Sequence, residues 1–428
     1  MAHRDWENPE TMMGVDEVLE RVLAAVEPMP ATRSGLLEAR GLVLAEDIVA
    51  PTDVPPFRNS AMDGFAVHSS APAPDQIIAF NLIGTIAAGS DADLSLRPGE
   101  AARIMTGAPV PEGADAVIRF EEVDESSSGT IRINRVIQSG ENVREAGEDI
   151  RAGAKILSRG TVLGAPVIGA LAALNFESVL VHRRPKIGIL STGDEVVDIG
   201  PALRPGQIRN ANSYILSAMV EELGADPVRL GIAADTRSDL QERISAARDC
   251  DLIVTSGGVS HGDFDLVKDV LRQEGQIDVW TVRIKPGKPL AFGTIGGVPL
   301  LGLPGNPAAA TVSLDQFGRP AILKMLGFRE YRLPTVRARL TEAVENRGQR
   351  RHFERGVLWN EDGEWRVRTT GIHGSAMISS LTAANCYIVI PEDWSEAPAG
   401  TIVEVQVLDN PARKTSTMDD GPQVPQSD

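Results

Sequence analysis

The chain has 428 residues, with 59 acidic against 42 basic side chains, a formal charge of −17, and an otherwise globular composition of 42% hydrophobic and 24% charged residues. At about 150 residues per domain it makes roughly three domains. The acidic balance excludes a nucleic-acid-coating surface, which needs a basic footprint, and docking on an anionic membrane. An anionic ligand would have to be held by a local cluster of cations or by a metal ion, against the field of the whole molecule. Cys250 and Cys386 are the only cysteines, too far apart in sequence for a disulfide framework or a thiolate zinc site, so a reducing, cytoplasmic setting is expected. The opening residues lack the apolar core of a secretion signal. The longest uncharged stretch, 289–314, contains four prolines and five glycines, which reads as strands and a loop leading into a helix, not as a membrane span.

In chain order, Val15, Val18, Leu19, Val22, Leu23 and Val26 recur at three- and four-residue spacing and predict an amphipathic helix over 15–27. A helical turn at 34–40 and an apolar run at 42–49 precede a proline-dense loop at 51–56. From there to about 145 the pattern is β, with strands expected at 76–87, 116–123 and 131–137. A helix at 166–174 reads as part of a connector. Strands at 187–190, 228–232, 252–255, 279–284 and 299–303 then alternate with helices at 214–223, 238–248, 264–274 and 308–326, the signature of a mostly parallel sheet with helices on both faces. Beyond 327 the pattern is β again, at 336–340, 365–369, 387–390 and 402–407, and the polar tail 410–428 lacks periodicity, as a disordered segment does.

The sum is a multi-domain α/β plus β protein. It comprises a helical connector domain (1–50 and 147–182), an inserted β-rich domain (51–146), a central doubly wound, mostly parallel α/β domain (183–328) and a C-terminal β-barrel-like domain (329–409), followed by the tail.

In an open α/β sheet, ligands collect beyond the carboxyl ends of the strands. Three loops have that position: Ser191-Thr192-Gly193-Asp194-Glu195; Thr255-Ser256-Gly257-Gly258-Val259-Ser260 with Asp263 and Asp265 after it; and Pro304-Gly305-Asn306-Pro307. Taken singly each is more often a simple tight turn, but three in one sheet point to a ligand. Neither a Walker A lysine loop nor a G-x-G-x-x-G fingerprint is present. Lys285 and Lys288, in the frame Ile284-Lys285-Pro286-Gly287-Lys288-Pro289, present two point charges suited to a tetrahedral oxyanion; the bland alternative is a pair of solvated surface lysines. Carboxylates on the neighbouring loops, Asp194, Glu195, Asp235, Asp263 and Asp265, suit magnesium, although any one of them can instead cap a helix. The polar turns around Asp63, Thr106, Arg144 and Asp149 carry no catalytic role on physics alone, and His261 and His373 read as loop residues.

Seven motifs in order, Ser60-Ala-Met-Asp-Gly-Phe-Ala, Ile104-Met-Thr-Gly-Ala-Pro, Gly147-Glu-Asp-Ile, Ser191-Thr-Gly-Asp-Glu, Ser256-Gly-Gly-Val-Ser, Ile284-Lys-Pro-Gly-Lys-Pro and Gly302-Leu-Pro-Gly-Asn-Pro, make the chain resemble the MoeA family of molybdenum insertases over roughly 12–408. The resemblance implies an α/β domain of the molybdenum cofactor biosynthesis type and the last step of that pathway. There, adenylylated molybdopterin and molybdate react with Mg2+ and AMP is released. It also implies a homodimer with a composite active site, in which Asp63, Thr106, Arg144 and Asp149 reach the other protomer's cleft. Transient contacts with the adenylyltransferase of the preceding step and with molybdoenzyme apoproteins or their chaperones follow from the same likeness.

By the same resemblance Glu195, Asp235 and Asp265 handle metal and substrate, and Lys285 and Lys288 face molybdate and phosphate. Ser191, Thr192, Gly193, Ser256, Gly257, Gly258, Pro304, Gly305, Asn306 and Pro307 form the cofactor pocket, with Arg350 and Ser375 contacting the anion. The family's Gly-Arg-Pro-Glu-Phe pattern fits Gly348-Gln-Arg-Arg-His-Phe only with a one-residue shift, so Arg351 competes with Arg350 for that role. Two further readings of the likeness are the adenylyltransferase, which carries a similar Ser-Gly-Gly loop but generally lacks the Ala-Met-Asp-Gly and C-terminal domains, and a non-catalytic scaffold of the kind that clusters membrane receptors.

Overall fold

The computed structural model describes residues 11–69, 77–91, 93–125, 129–258 and 275–408. The chain divides into two compact units, one formed by 1–32, 41–43 and 181–428 and the other by 33–40 and 44–180. The expected helix at 264–274 and the tail 410–428 lie outside the described residues.

In the second unit a six-stranded sheet runs in the order Ala116–Arg119, Gly64–Val67, Glu100–Ile104, Ile78–Ile86, Thr130–Ile133, Asp124–Glu125. The long strand Ile78–Ile86 shows partial alternation of burial and contributes to two cores, Phe80 packing with Phe65, Ile118 and Ile131 and Ile86 with Ile104 and Val117. Gly64 is dictated by close approach: a β-carbon there would lie 1.9 Å from the Ile118 carbonyl oxygen. The helix Ala165–Ala173 matches the expected one and starts with Pro166 in its first turn, where the missing N–H costs nothing.

The first unit opens on the helix Val15–Ala24, shorter than expected: the chain leaves the helix at Ala25, ahead of Pro28 and Pro30, and Val26 is buried outside it. Its main sheet has the order Asp226–Ala233, Lys186–Thr192, Leu252–Ser256, Val298–Leu303, Pro289–Ile295, Gly275–Thr281. The first three pairings are parallel and the last two antiparallel; Gly296-Gly297 turns the hairpin between Pro289–Ile295 and Val298–Leu303, and Gly275–Thr281 forms the edge. Lys186–Thr192 is buried from Ile187 onward and Leu252–Ser256 throughout, as central parallel strands covered on both faces must be.

The expected single helix 308–326 is three segments: Pro307–Ser313, a π-helical turn Leu314–Gly318, and Arg319–Met325. Pro320 would leave the carbonyl four residues back without its donor in a continuous helix, and the wider turn absorbs that break. The turn also brings Asp315 within 2.7 Å of the Tyr387 hydroxyl, which donates to it.

In the C-terminal region five strands close on themselves. Arg351–Glu361 pairs with Glu364–Thr369 and with Cys386–Ile390, Glu364–Thr369 with Thr335–Leu340, and Ile402–Val407 joins Thr335–Leu340 to Cys386–Ile390. Closure leaves no free edge around an apolar core that includes Leu340, Leu358, Val367, Ile388 and Val405. The strand Arg351–Glu361, eleven residues long, was not expected. The short strand Ile284–Lys285 runs parallel to its start and sets Lys285 opposite His352.

Candidate active site

Three strand ends meet as the sheet pattern requires. Ser191 Oγ donates to Asn210 Oδ1 (2.8 Å), whose side chain also caps the helix Ala211–Glu222 by accepting from the Ser213 amide. Asn212, in the first turn of that helix, donates to Ser256 Oγ (2.6 Å) and to the Gly305 carbonyl (2.7 Å), so one amide group ties the second loop to the third. Gly257 sits at φ +95°, and a β-carbon there would lie 2.8 Å from Thr192 Oγ1 and 3.0 Å from Thr192 O. Its amide is already donated to the Leu303 carbonyl (3.1 Å), so Gly257 shapes the cradle and does not itself offer an N–H to a phosphate, a change from what the glycine pair suggests. Gly258 follows with φ +68°. Ser191, Thr192, Ser256, Gly257 and Gly305 are thereby brought together, with Asn210 and Asn212, which carried no motif, as the links between them.

The acids arrange themselves differently from the expected set. Asp194 and Asp235 exchange bonds, the Asp235 amide donating to Asp194 Oδ1 at 2.9 Å and the Asp194 amide to Asp235 Oδ2 at 3.4 Å. Glu195 instead folds its exposed carboxylate over Gly193. Asp263 and Asp265 lie outside the described residues, as do Ser260 and His261. Among the described residues no three acidic, His or Cys side chains converge as a metal centre. Oxygen donors from Asp194 and Asp235 at the strand ends fit the chemistry of magnesium, which takes one or two carboxylates and completes its shell with water and phosphate.

A cavity of about 680 Å³ opens beside these loops, lined by Lys285, Pro286, Gly287, Arg350, His352, Glu354, Arg355, His373, Gly374 and Ser375 among others. Gly287 packs on the helix Pro307–Ser313, near Ser313 Oγ and Pro304, so the lysine arc rests on the third loop. Asn306 donates to Ser375 Oγ (2.8 Å) and the Ala308 amide to the Ser375 carbonyl (3.0 Å), which join the cavity to the strand-end cradle. Lys285 is half-buried and Arg350 partly so, and burial holds both below their ordinary pKa values, Lys285 against the opposing pull of Glu354. Lys288 is not part of the lining; its carbonyl accepts from the Val282 amide.

Arg350 and Arg351 are placed differently. Arg351 is spent on Glu392 (3.1 Å) and Asp16 (2.9 Å), whereas Arg350 lines the cavity, its guanidinium making a 3.5 Å contact to the Ile284 carbonyl.

Sequence reasoning missed the cavity floor. Glu354, 4% exposed, has Oε2 2.8 Å from His352 Nε2, and Oε1 3.7 Å from both Arg355 Nη2 and His373 Nδ1. Burial opposes the Glu354 charge, but the His352 contact and the Arg355 charge outweigh it and keep the carboxyl below its ordinary value. His352 is held below its own ordinary value chiefly by burial. His373, read from sequence as a loop residue, lines this cavity.

In the other unit Asp63 accepts from the Thr106 amide (2.7 Å) and hydroxyl (2.8 Å), which lower its pKa. Arg144 lies opposite Asn59 in a two-stranded pairing, and the Asp149 amide donates to Val54 O (3.0 Å), so Thr106 meets Asp63 directly while Asp149 is held on a neighbouring turn.

Three family models match successive parts of the chain. They are the MoeA N-terminal region (domains I and II) over 13–175, a domain described as "Probable molybdopterin binding domain" over 188–324, and the MoeA C-terminal region (domain IV) over 337–408. A Haemophilus influenzae protein named molybdopterin molybdenumtransferase is 36% identical over 92% of this chain and 98% of its own length. The chain belongs to the MoeA family. Another MoeA-family relative, molybdopterin molybdenumtransferase 2 of Mycobacterium tuberculosis, is 35% identical over 91% of the chain and 97% of its own. Two crystal structures of a molybdopterin biosynthesis MoeA protein from Pyrococcus horikoshii superpose with TM-scores of 0.81 and 0.78 at 32% and 30% identity, covering 93% and 92% of this chain and all of theirs. The multi-domain α/β plus β architecture with its closed C-terminal barrel is thus the MoeA fold. No helix among the described residues is long and apolar enough to cross a membrane.

Proposed function

We propose that this chain is a molybdopterin molybdenumtransferase, which inserts molybdenum from molybdate into adenylylated molybdopterin in the cytoplasm and releases AMP. The observation that carries the reading is the seam at Ser375. A cavity lined by Lys285 and Arg350, roomy enough for an oxyanion together with part of a larger substrate, is bonded through Asn306 to the strand-end cradle of a molybdopterin-binding type of domain.

The work of the protein is positional and electrostatic. Lys285, Arg350 and the Ser375 hydroxyl hold the tetrahedral dianion, and partial burial strengthens each contact. Ser191, Thr192, Ser256 and the Gly305 turn hold the pterin and its phosphate, with Asn212 fixing their spacing. Magnesium, when bound, would supply charge neutralisation for the adenylate phosphates, and the carboxylates of Asp194 and Asp235 would hold it. In the proposed homodimer, Asp63, Thr106, Arg144 and Asp149 of a second copy complete the site.

The test supplies purified protein with adenylylated molybdopterin, molybdate and magnesium and scores active cofactor by reconstitution of an apo-molybdoenzyme. Molybdate-dependent activation that disappears in Lys285→Ala and Arg350→Ala supports the reading. Accumulation of adenylylated product from molybdopterin and ATP would assign the chain to the preceding step instead.

A further inference from the structure

We propose that the buried His352–Glu354 pair is a positioning device that takes up a proton when the oxyanion enters the cavity, so that anion capture and proton uptake are coupled; this rests on the anion reading of that cavity. His352 is 2% and Glu354 4% exposed, and the two touch at 2.8 Å, on the strand Arg351–Glu361 that carries the cavity floor. Three of their atoms, His352 Nδ1, His352 Nε2 and Glu354 Oε1, are buried without a hydrogen-bond partner, so the 2.8 Å approach of Nε2 to Glu354 Oε2 is a close contact that no aligned hydrogen bond closes, an arrangement native interiors rarely leave unless the group has work to do.

The groups facing the pair come from every element around it. Lys285 comes from the short parallel strand beside it, Arg350 precedes the strand, and Arg355 lies on the strand itself. His373 lies on the following loop, and Glu345 contributes to the field at Lys285 from across the cavity. With the cavity empty, Lys285 and Arg355 oppose a charge on His352 and reinforce its burial, so the imidazole is neutral at neutral pH while Glu354 is ionised. A dianion lodged between Lys285 and Arg350 reverses that balance. It cancels the cationic field on His352 and adds a repulsive one on Glu354, and both changes favour the protonated form of the pair. The pair as a whole carries the proton, the ring turning to align Nε2 with the Glu354 Oε2 that already lies 2.8 Å away, and Arg355, anchored to Ser380 Oγ (3.2 Å) and Gly374 O (3.1 Å), keeps the floor in place.

The experiment is calorimetric titration of molybdate into the full-length protein at pH 7 in two buffers of different ionisation enthalpy, which counts protons directly. The wild type is expected to take up a substantial fraction of one proton per anion, with affinity falling by up to about tenfold per pH unit above neutrality. Glu354→Gln and His352→Gln bind molybdate with uptake reduced to near zero, whereas Glu361→Gln, on the same strand but outside the cavity lining and paired with Arg366, retains it. Zero uptake by the wild type, or uptake unchanged in both floor variants, overturns the proposal without needing any variant beyond these to fold. If the wild type binds molybdate with affinity indifferent to Arg350→Ala, the anion reading of the cavity fails instead, and the proton coupling falls with it.

Discussion

The two halves of the site differ in how they are built. The strand-end cradle is tied together by neutral groups, hydroxyls, carboxamides and turns, through short hydrogen bonds such as Asn212 to Ser256 and to Gly305, with the carboxylates of Asp194 and Asp235 beside it. The barrel cavity is made of ions, with Lys285, Arg350, Arg355 and Glu354 inside one lining. Neutral networks cost little to bury once satisfied, so the cradle can be rigid before any ligand arrives. Buried ions are costly to leave uncompensated, so the cavity stays poised for a countercharge. The difference predicts that damage in the cavity removes activity and leaves stability, while damage in the cradle removes both.

The largest expected effect is on activity. Lys285→Ala or Arg350→Ala should lower molybdate-dependent transfer by about 100-fold or more, the scale of one lost charged contact to a reacting oxyanion. Thermal unfolding should stay near wild type, because Arg350 makes one long bond and burial already disfavours both charges. Full activity in the double variant would break the comparison at its root.

Next in size is a purely structural change at the far end of the same sheet. Asp251 accepts from Arg183 Nη1 and Nη2 at 2.7 and 2.6 Å and from the Lys186 amide at 2.8 Å. Asp251→Asn should cost about 2 kcal/mol of stability, in the range of charge-assisted bonds, with transfer activity per folded molecule unchanged. Burial raises the Asp251 pKa, but Arg183 and the amide outweigh it, so the folded value lies below the ordinary 3.8. A depressed carboxyl contributes stability that is present above its unfolded pKa and lost as pH falls through the folded one. The gap between wild type and Asp251→Asn in denaturant midpoints should therefore be constant from pH 5 to 8 and close below about pH 4.

In the cradle, Gly257→Ala combines a left-handed φ with a 2.8 Å clash against Thr192 Oγ1, and about 1–3 kcal/mol of destabilisation should accompany loss of transfer. Gly200, at φ +109° with nothing within 4 Å of a β-carbon, isolates the backbone component. Gly200→Ala should cost less and keep activity; equal losses in urea titrations would show that the contact with Thr192 contributes nothing.

How much of this was legible in the sequence follows the same division. The cradle is local: a hydroxyl or glycine at each strand end, read from Ser191-Thr-Gly, Ser256-Gly-Gly and Pro304-Gly-Asn-Pro, predicts where the loops converge. Asn212 was not legible, because its partners lie 44 and 93 residues away and no spacing announces them. The cavity is non-local. Arg351, His352, Glu354 and Arg355 erase the alternation by which a strand is recognised, since closure of the barrel buries charged residues on both faces of Arg351–Glu361. His373 shares the cavity with Lys285 only after that closure, which is why a loop setting was all the sequence supported. The π-helical turn at Leu314–Gly318 likewise has no periodic signal, and only the Asp315–Tyr387 bond shows what it accomplishes.

The smallest predicted effect probes the seam between the two halves. Asn306 and Ser375 are joined by one exposed side-chain hydrogen bond of 2.8 Å, but the neighbouring bond from the Ala308 amide to the Ser375 carbonyl does not depend on the Asn306 side chain. Asn306→Ala should therefore cost under about 1 kcal/mol, and the helix Pro307–Ser313 should keep its start, since the Asn306 side chain makes no capping bond. What the variant loses is the orientation of the Ser375 hydroxyl, which then rotates freely at the cavity mouth. The expected result is a few-fold rise in the molybdate concentration needed for half-maximal transfer, with the maximal rate and the requirement for adenylylated molybdopterin unaltered. A fall in maximal rate at saturating molybdate would instead mean that the cradle and the cavity move as one body, and that the neutral and the charged halves of the site are not separable.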